Sequence, residues 1–284
     1  MLELKKRRRV KKATRRPARQ VGTLRQVLGW CVHAYTALGL VAAAMIAALI
    51  IQGGPNAFRW SFLLMAVATI VDSTDGTLAR RVRIKEAVPS FDGRRLDDII
   101  DFLTYTFLPL LLVYRAHILP VGWEAWLIFP ALASIYGFCQ VEAKTADGYF
   151  LGFPSLWNVV ALYLYALPLG PWVSLGVVVL LAVLTFVPTR HLYPSMPGRL
   201  NRVSTLLAIP WTVLVFALVW WLPRDSERAI DHGTLRLVYL SLYYPAYYLG
   251  VSWAISVAHW YKVARANSSI EQAPREDPEP ALGS

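Results

Sequence analysis

The sequence predicts an all-α polytopic membrane helix bundle of about eight transmembrane helices with both termini cytoplasmic. Three observations predict it. The 284 residues are 56% hydrophobic and only 17% charged, against about 45–50% apolar and about 25% charged for an ordinary soluble domain, and the mean hydropathy is +0.42. The apolar residues gather in runs approaching the ~20 residues that one span needs, and in lipid such runs satisfy their backbone as helices rather than strands. The 29 Lys and Arg are sorted unevenly between alternate loops, as the positive-inside rule requires.

The elements follow in order. Residues 1–26 form a basic cytoplasmic arm. Its first 25 residues carry +10 of the chain's formal +11, so the body is close to neutral and no nucleic-acid partner is expected. At about 1 kcal/mol per Lys or Arg near the surface, such an arm suits anionic lipid headgroups; it serves equally as a topology determinant. The apolar stretch behind it is too long for a signal-peptide core. Spans are expected at 27–51, 58–80, 96–115, 122–142, 153–168, 171–188, 203–222 and 235–261. The fifth and sixth are short and separated by Pro168-Leu169-Gly170-Pro171. The membrane-embedded domain is therefore 27–262. The polar, Pro-rich stretch 263–284 reads as a disordered cytoplasmic tail. An even number of spans places both termini on one side. Loops on that side hold 24 of the 29 basic residues, which makes it the cytoplasm; Arg59, Arg115, Arg224, Arg228 and Arg236 are left opposite. Cys31 and Cys139 both fall in apolar runs and are expected to be buried and unbridged. No internal inverted repeat is evident.

Five carboxylates at the cytoplasmic ends of spans two and three need a chemical reason, because ionisable groups at membrane depth are expensive. Asp72 and Asp75 are three residues apart and Asp97 and Asp101 four apart, so each pair shares a helix face. Asp98 is turned about 100° away and is expected to pair with Arg94 or Arg95. A loop of twelve residues, 81–92, makes the two spans antiparallel neighbours. Four converging carboxylates repel unless cations lie between them. Clustered oxygen ligands suit Mg²⁺ or Mn²⁺, and a two-metal clamp is the usual arrangement in phosphoryl chemistry. Gly76, Ala79 and Gly93 leave room on the same faces for a nucleotide against the backbone, and Arg80 is placed to meet a phosphate. The expected nucleotide-binding set is Asp72, Gly76, Ala79, Arg80, Gly93 and Asp97.

The string D-x-x-D-G-x-x-A-R followed by G-x-x-x-D-x-x-x-D resembles the signature of the CDP-alcohol phosphotransferases. Asp72, Asp75, Gly76, Ala79, Arg80, Gly93, Asp97 and Asp101 match it with no position missing. The gap between Arg80 and Gly93 is longer than usual for that family. With the span count and the stretches 91–98, 136–145 and 147–158, it resembles a bacterial branch whose acceptor alcohol is choline. The resemblance covers about residues 25–260. It implies transfer of the phosphatidyl group from CDP-diacylglycerol to choline, giving phosphatidylcholine and CMP, at the inner (cytoplasmic) membrane. It implies that Asp72, Asp75, Asp97 and Asp101 bind two ions, Mg²⁺ or Mn²⁺, that Asp101 is general base on the choline hydroxyl, and that the enzyme forms a homodimer.

A permanent cation calls for aromatic faces and carboxylates. The loop between spans four and five offers Glu142, Tyr149, Trp157 and Asn158 for choline, or else an aromatic belt and a helix entry with Ser155 near its start. Arg190, Arg199 and Arg202 are candidates for lipid phosphate and, equally, topology signals. The tyrosines at 239, 243, 244, 247 and 248 lie away from the Asp cluster and read as packing or interface anchors. Two alternatives follow from the same residues: a phosphatidyltransferase using serine or an inositol phosphate, and a divalent-cation transporter. The transporter would place its acids at the bilayer midplane on broken helices with repeat symmetry, whereas these lie at helix ends beside a basic loop.

Overall fold

A computed structural model describes residues 22–141, 143, 145, 147–193, 198–223 and 230–271. The arm up to residue 21, Glu142, Lys144, Arg224, Arg228 and the tail beyond 271 lie outside the described residues. The chain opens with two long helices, α1 (Thr23–Gln52) and α2 (Ala57–Val82). Gly53 and Gly54 turn the chain between them at φ +67° and +95°, a region open to glycine at little cost. The two helices then run antiparallel as the most extensively packed pair in the fold.

After a short α3 (Ile84–Ala87), the third span is one continuous helix built of α4 (Gly93–Asp101), a π-helical turn (Phe102–Phe107) and α5 (Leu108–Arg115). Asp92 caps α4 by accepting the Arg95 N–H at 3.2 Å. The wide turn has a local cause in Pro109, which lacks an N–H and whose ring would crowd the carbonyl four residues back. Such turns are frequent at functional sites, and this one begins directly after Asp101.

The remaining helices are α6 (Ile128–Cys139), entered through a 3₁₀ turn (Glu124–Leu127), then α7 (Trp157–Ala166), α8 (Pro171–Leu184), α9 (Arg199–Trp221), α10 (His232–Ser241) and α11 (Tyr243–Glu271). The protein is an all-α membrane protein. Among the described residues three helices, α1, α2 and α9, are each long and apolar enough to cross a bilayer. Their outer faces carry exposed Leu38, Val41 and Met45 on α1 and Leu206, Ile209 and Val213 on α9, the surface that lipid covers.

The fifth and sixth expected spans form helices of 10 and 14 residues. At 1.5 Å per residue these reach about 15 and 21 Å, short of the ~30 Å hydrocarbon core. In α7 the apolar run has another cause: Trp157, Asn158 and every residue from Ala161 to Ala166 are buried. A helix apolar all round can be a core helix rather than a lipid-facing one, and α7 is the former.

The expected loops contain a small antiparallel ribbon, β1 (Tyr149–Leu151) and β2 (Arg190–Leu192), in which Phe150 faces His191. It joins the loops before α7 and after α8 at one end of the bundle. The backbone N–H groups of Arg190 and Leu192 donate to Ser256 and Ser252 on α11 at 2.7 and 3.3 Å. An ion pair between Arg190 and Asp147 closes the ribbon's other side; with the Thr145 hydroxyl it holds the Asp147 carboxyl below its usual range. His191 is buried between these layers, and burial lowers its pKa from 6.5 to about 4. The unfolded chain therefore binds a proton on this imidazole below pH 6.5 while the folded chain does not until about pH 4. Stability from this group is intact above pH 6.5 and falls as pH drops toward 4, by on the order of 3 kcal/mol in full. Thermal unfolding between pH 7 and 5 is expected to show this slope, and His191→Leu is expected to flatten it.

Two local expectations are corrected. Cys31 and Cys139 are unbridged, but both are exposed on the outer surface rather than buried. Ser155 does stand near the start of α7, two residues before it, without a side-chain cap. It sits at φ +54°, and its carbonyl, not its hydroxyl, accepts the Trp157 N–H at 2.9 Å. Arg95 lies 4.0 Å from Asp92 rather than pairing with Asp98. Most of the span-eight tyrosines do pack: Tyr243 donates to the Leu207 carbonyl at 2.7 Å, Tyr248 to that of Leu192 at 3.0 Å, and Tyr244 lies against Trp211.

Candidate active site

Asp72 on α2 and Asp97 and Asp101 on α4 each bring a carboxylate oxygen within 4.8 Å of the others, all three half-buried. Helical spacing supplies the pair on α4, and the antiparallel packing of α2 against the third span supplies the meeting. Asp101 also lies in the field of Asp75 and Asp98. Like charges this close are costly unless a cation lies between them. Hard oxygen donors in this arrangement fit Mg²⁺ or Mn²⁺, so the cluster could hold a metal.

Asp75 stands apart from that close group. It is buried, and its Oδ2 accepts the Thr36 hydroxyl of α1 at 2.8 Å. One residue away, Tyr35 and Thr74 share a hydrogen bond of 2.8 Å. Helix α1 can come this close because its inner face is small: a Cβ on Gly39 would lie 2.6 Å from Ile100 Cγ2. Arg80 turns back along α2, donating to Thr77 at 3.0 Å, and its Nη1 would lie 3.5 Å from a Cβ on Gly76. The guanidinium therefore lies over the Gly76 face of α2.

At Gly93 the close neighbour is His33 of α1. The imidazole of His33 fills the space, with Nδ1 only 2.8 Å from where a Cβ would stand, and that ring packs against Phe91 and Trp30 at 4.4 and 5.8 Å. Gly93→Ala is expected to destabilise by about 1–3 kcal/mol, as overpacking does, seen as a lowered Tm in detergent. Adding His33→Ala should restore the Tm; an unchanged Tm in the single variant would contradict this packing.

Among the described residues, the proposed choline residues Tyr149, Trp157 and Asn158 each have a different partner. Glu142 lies outside the described residues. Tyr149 lies under the Arg190 guanidinium, 5.5 Å from its ring centre. Trp157 is 1% exposed in the core and donates to Ser134 at 2.9 Å. Asn158 instead turns toward α2 and donates to Thr69 Oγ1 at 3.1 Å, one turn before Asp72. Of the lipid-phosphate candidates, Arg190 is engaged by Asp147, while Arg199 and Arg202 are exposed on the first turn of α9.

Sequence reasoning did not single out Thr36, Thr69 or Tyr105. Tyr105, in the π-helical turn, donates to Asp72 Oδ2 at 2.8 Å. Its spacing of four from Asp101, itself four from Asp97, was a legible signal. Thr36 and Asp75 are 39 residues apart, and no local pattern announces that contact.

No protein-family model matches the chain. Curated relatives do. The phosphatidylcholine synthase of Pseudomonas aeruginosa is 35% identical over 235 residues, covering 82% of this chain and 93% of the relative. That of Borreliella burgdorferi is 32% identical over 219 residues, 77% and 90% of the two chains. That of Legionella pneumophila is 34% identical over 193 residues, 67% and 74%.

Proposed function

Because the chain belongs to the phosphatidylcholine synthase family, we propose that the Asp72, Asp97 and Asp101 cluster is the centre where the phosphatidyl group passes from CDP-diacylglycerol to choline. The observation that carries this reading is the convergence of three carboxylates from two helices. Such a group is hard to account for except as a cation-mediated binding site for a diphosphate.

Asp72, Asp97 and Asp101, with Asp75 behind them, would hold Mg²⁺ or Mn²⁺, two ions by family analogy. When bound, the ions offset the charge of the diphosphate and of the departing CMP. Arg80 meets a phosphate oxygen. Asp101 takes the proton of the choline hydroxyl. The choline oxygen then forms its bond to the phosphatidyl phosphorus as the bond from that phosphorus to the CMP oxygen breaks, giving phosphatidylcholine and CMP.

An even number of spans, with both termini and the active centre facing the cytoplasm of a bacterial inner membrane, completes the reading. The basic arm 1–26 rests on anionic headgroups, 27–262 forms the catalytic domain, 263–284 is a tail, and two copies form a dimer. The sidedness is supported by the 24-to-5 division of basic residues. The decisive experiment incubates the purified protein with CDP-diacylglycerol, Mn²⁺ or Mg²⁺, and labelled choline, serine or inositol phosphate in turn. Label in phosphatidylcholine with release of CMP is expected; label entering lipid only from serine or inositol phosphate would overturn the acceptor.

A further inference from the structure

The geometry points to Tyr105 as a positioning residue for Asp72, with the hydrogen-bonded pair Thr69 and Asn158 beside its hydroxyl. Asn158 Nδ2 donates to Thr69 Oγ1 at 3.1 Å. Thr69 neighbours the Tyr105 hydroxyl, and Tyr105 donates its own proton to Asp72 Oδ2 at 2.8 Å. The phenol thus gives its hydrogen to the carboxylate, while the Thr69 hydroxyl beside it gives its own to the Met65 carbonyl at 3.0 Å. These residues lie on three elements, α7, α2 and the π-helical turn, so they tie the core helix of the bundle to the carboxylate cluster.

Three features make this more than incidental packing. Tyr105 lies in the only π-helical turn among the described residues, the turn that starts directly after Asp101. Asp72 is a member of the close three-carboxylate group. The surroundings are also fixed: Asn158 supplies a hydrogen to the Thr69 oxygen at 3.1 Å and Thr69 gives its own to the Met65 carbonyl at 3.0 Å, which leaves the Tyr105 proton to Asp72. A phenol held this way occupies part of one Asp72 oxygen and sets the carboxylate's rotation, the role that outer hydrogen bonds play for metal-ligating carboxylates.

This inference rests on the reading of the cluster as a divalent-cation site, and the test separates the two. Mn²⁺ binding to the purified protein in nanodiscs, without substrate, is read from the loss of the free-ion signal in electron paramagnetic resonance. Tyr105→Phe keeps the ring and removes only the hydroxyl. It is expected to weaken Mn²⁺ binding about 10- to 100-fold and to raise the Mn²⁺ needed for half-maximal activity, with the KM for choline unchanged. Thr69→Val keeps the side-chain shape and removes the hydroxyl beside Tyr105; a smaller weakening in the same direction is expected, and it serves if Tyr105→Phe does not assemble. Wild-type protein that binds Mn²⁺ while both variants bind it equally well overturns the positioning role alone. Wild-type protein that binds no Mn²⁺ overturns the cation site and this inference together.

Discussion

Asp101→Asn is expected to abolish phosphatidylcholine formation, by at least 10²- to 10⁴-fold for the loss of a general base, while the protein still inserts and purifies with unchanged thermal stability or better. The reasoning is electrostatic as well as chemical. Asp101 shares its surroundings with Asp72, Asp97, Asp75 and Asp98, so a neutral amide relieves repulsion in the metal-free protein. The fold should therefore not suffer for the change, since the amide has nearly the carboxylate's shape. What is lost is the proton acceptor for the choline hydroxyl and one oxygen donor of the cluster. Incorporation of labelled choline into lipid is the measurement. Retention of a tenth or more of wild-type turnover would remove Asp101 from the role of base.

Chelation should have an effect of comparable size and the opposite consequence for stability. Stripping divalent ions with EDTA is expected to bring choline incorporation to background, with recovery on adding Mn²⁺ or Mg²⁺ in excess. The cause is the same close group of three carboxylates. Without a cation their repulsion is unrelieved, and the diphosphate would meet a negative surface. Anything that binds the folded state alone stabilises it, so the Tm should rise when ions are restored to wild-type protein. The rise should be smaller in Asp72→Asn and Asp97→Asn, which keep the shape of each side chain and remove its charge. Full activity after exhaustive chelation would exclude the metal reading and leave the cluster without its electrostatic explanation.

The site was legible where its residues are neighbours along the chain. Asp72 with Asp75, and Asp97 with Asp101, declare shared faces through spacings of three and four, and the loop between them is short enough to make their helices meet. Arg80 beside Gly76 follows the same local logic. Contacts from elsewhere were not legible. Thr36 reaches Asp75, and Asn158 reaches Thr69 one turn from Asp72, across 39 and 89 positions. Gly93 shows a related limit: a glycine marks a close approach but does not say of what, and the approaching group here is His33. Trp157 shows another, because an aromatic near a loop looks the same in sequence whether it faces a ligand or packs, as here, in the core.

Composition and charge order alone determine that this is a helical membrane protein and where along the chain its acids and bases cluster. Those properties are sums and periodicities, and both are written along the chain. Which apolar run faces lipid and which is core was decided only when the bundle closed: α7 and α1 read alike as apolar stretches, yet one is enclosed by its neighbours and the other is half bare. The surroundings of each carboxylate were decided there too. A hydroxyl becomes the partner of an acid through the approach of two helices to hydrogen-bonding distance, and that approach depends on side-chain volumes all along the interface rather than on any one segment.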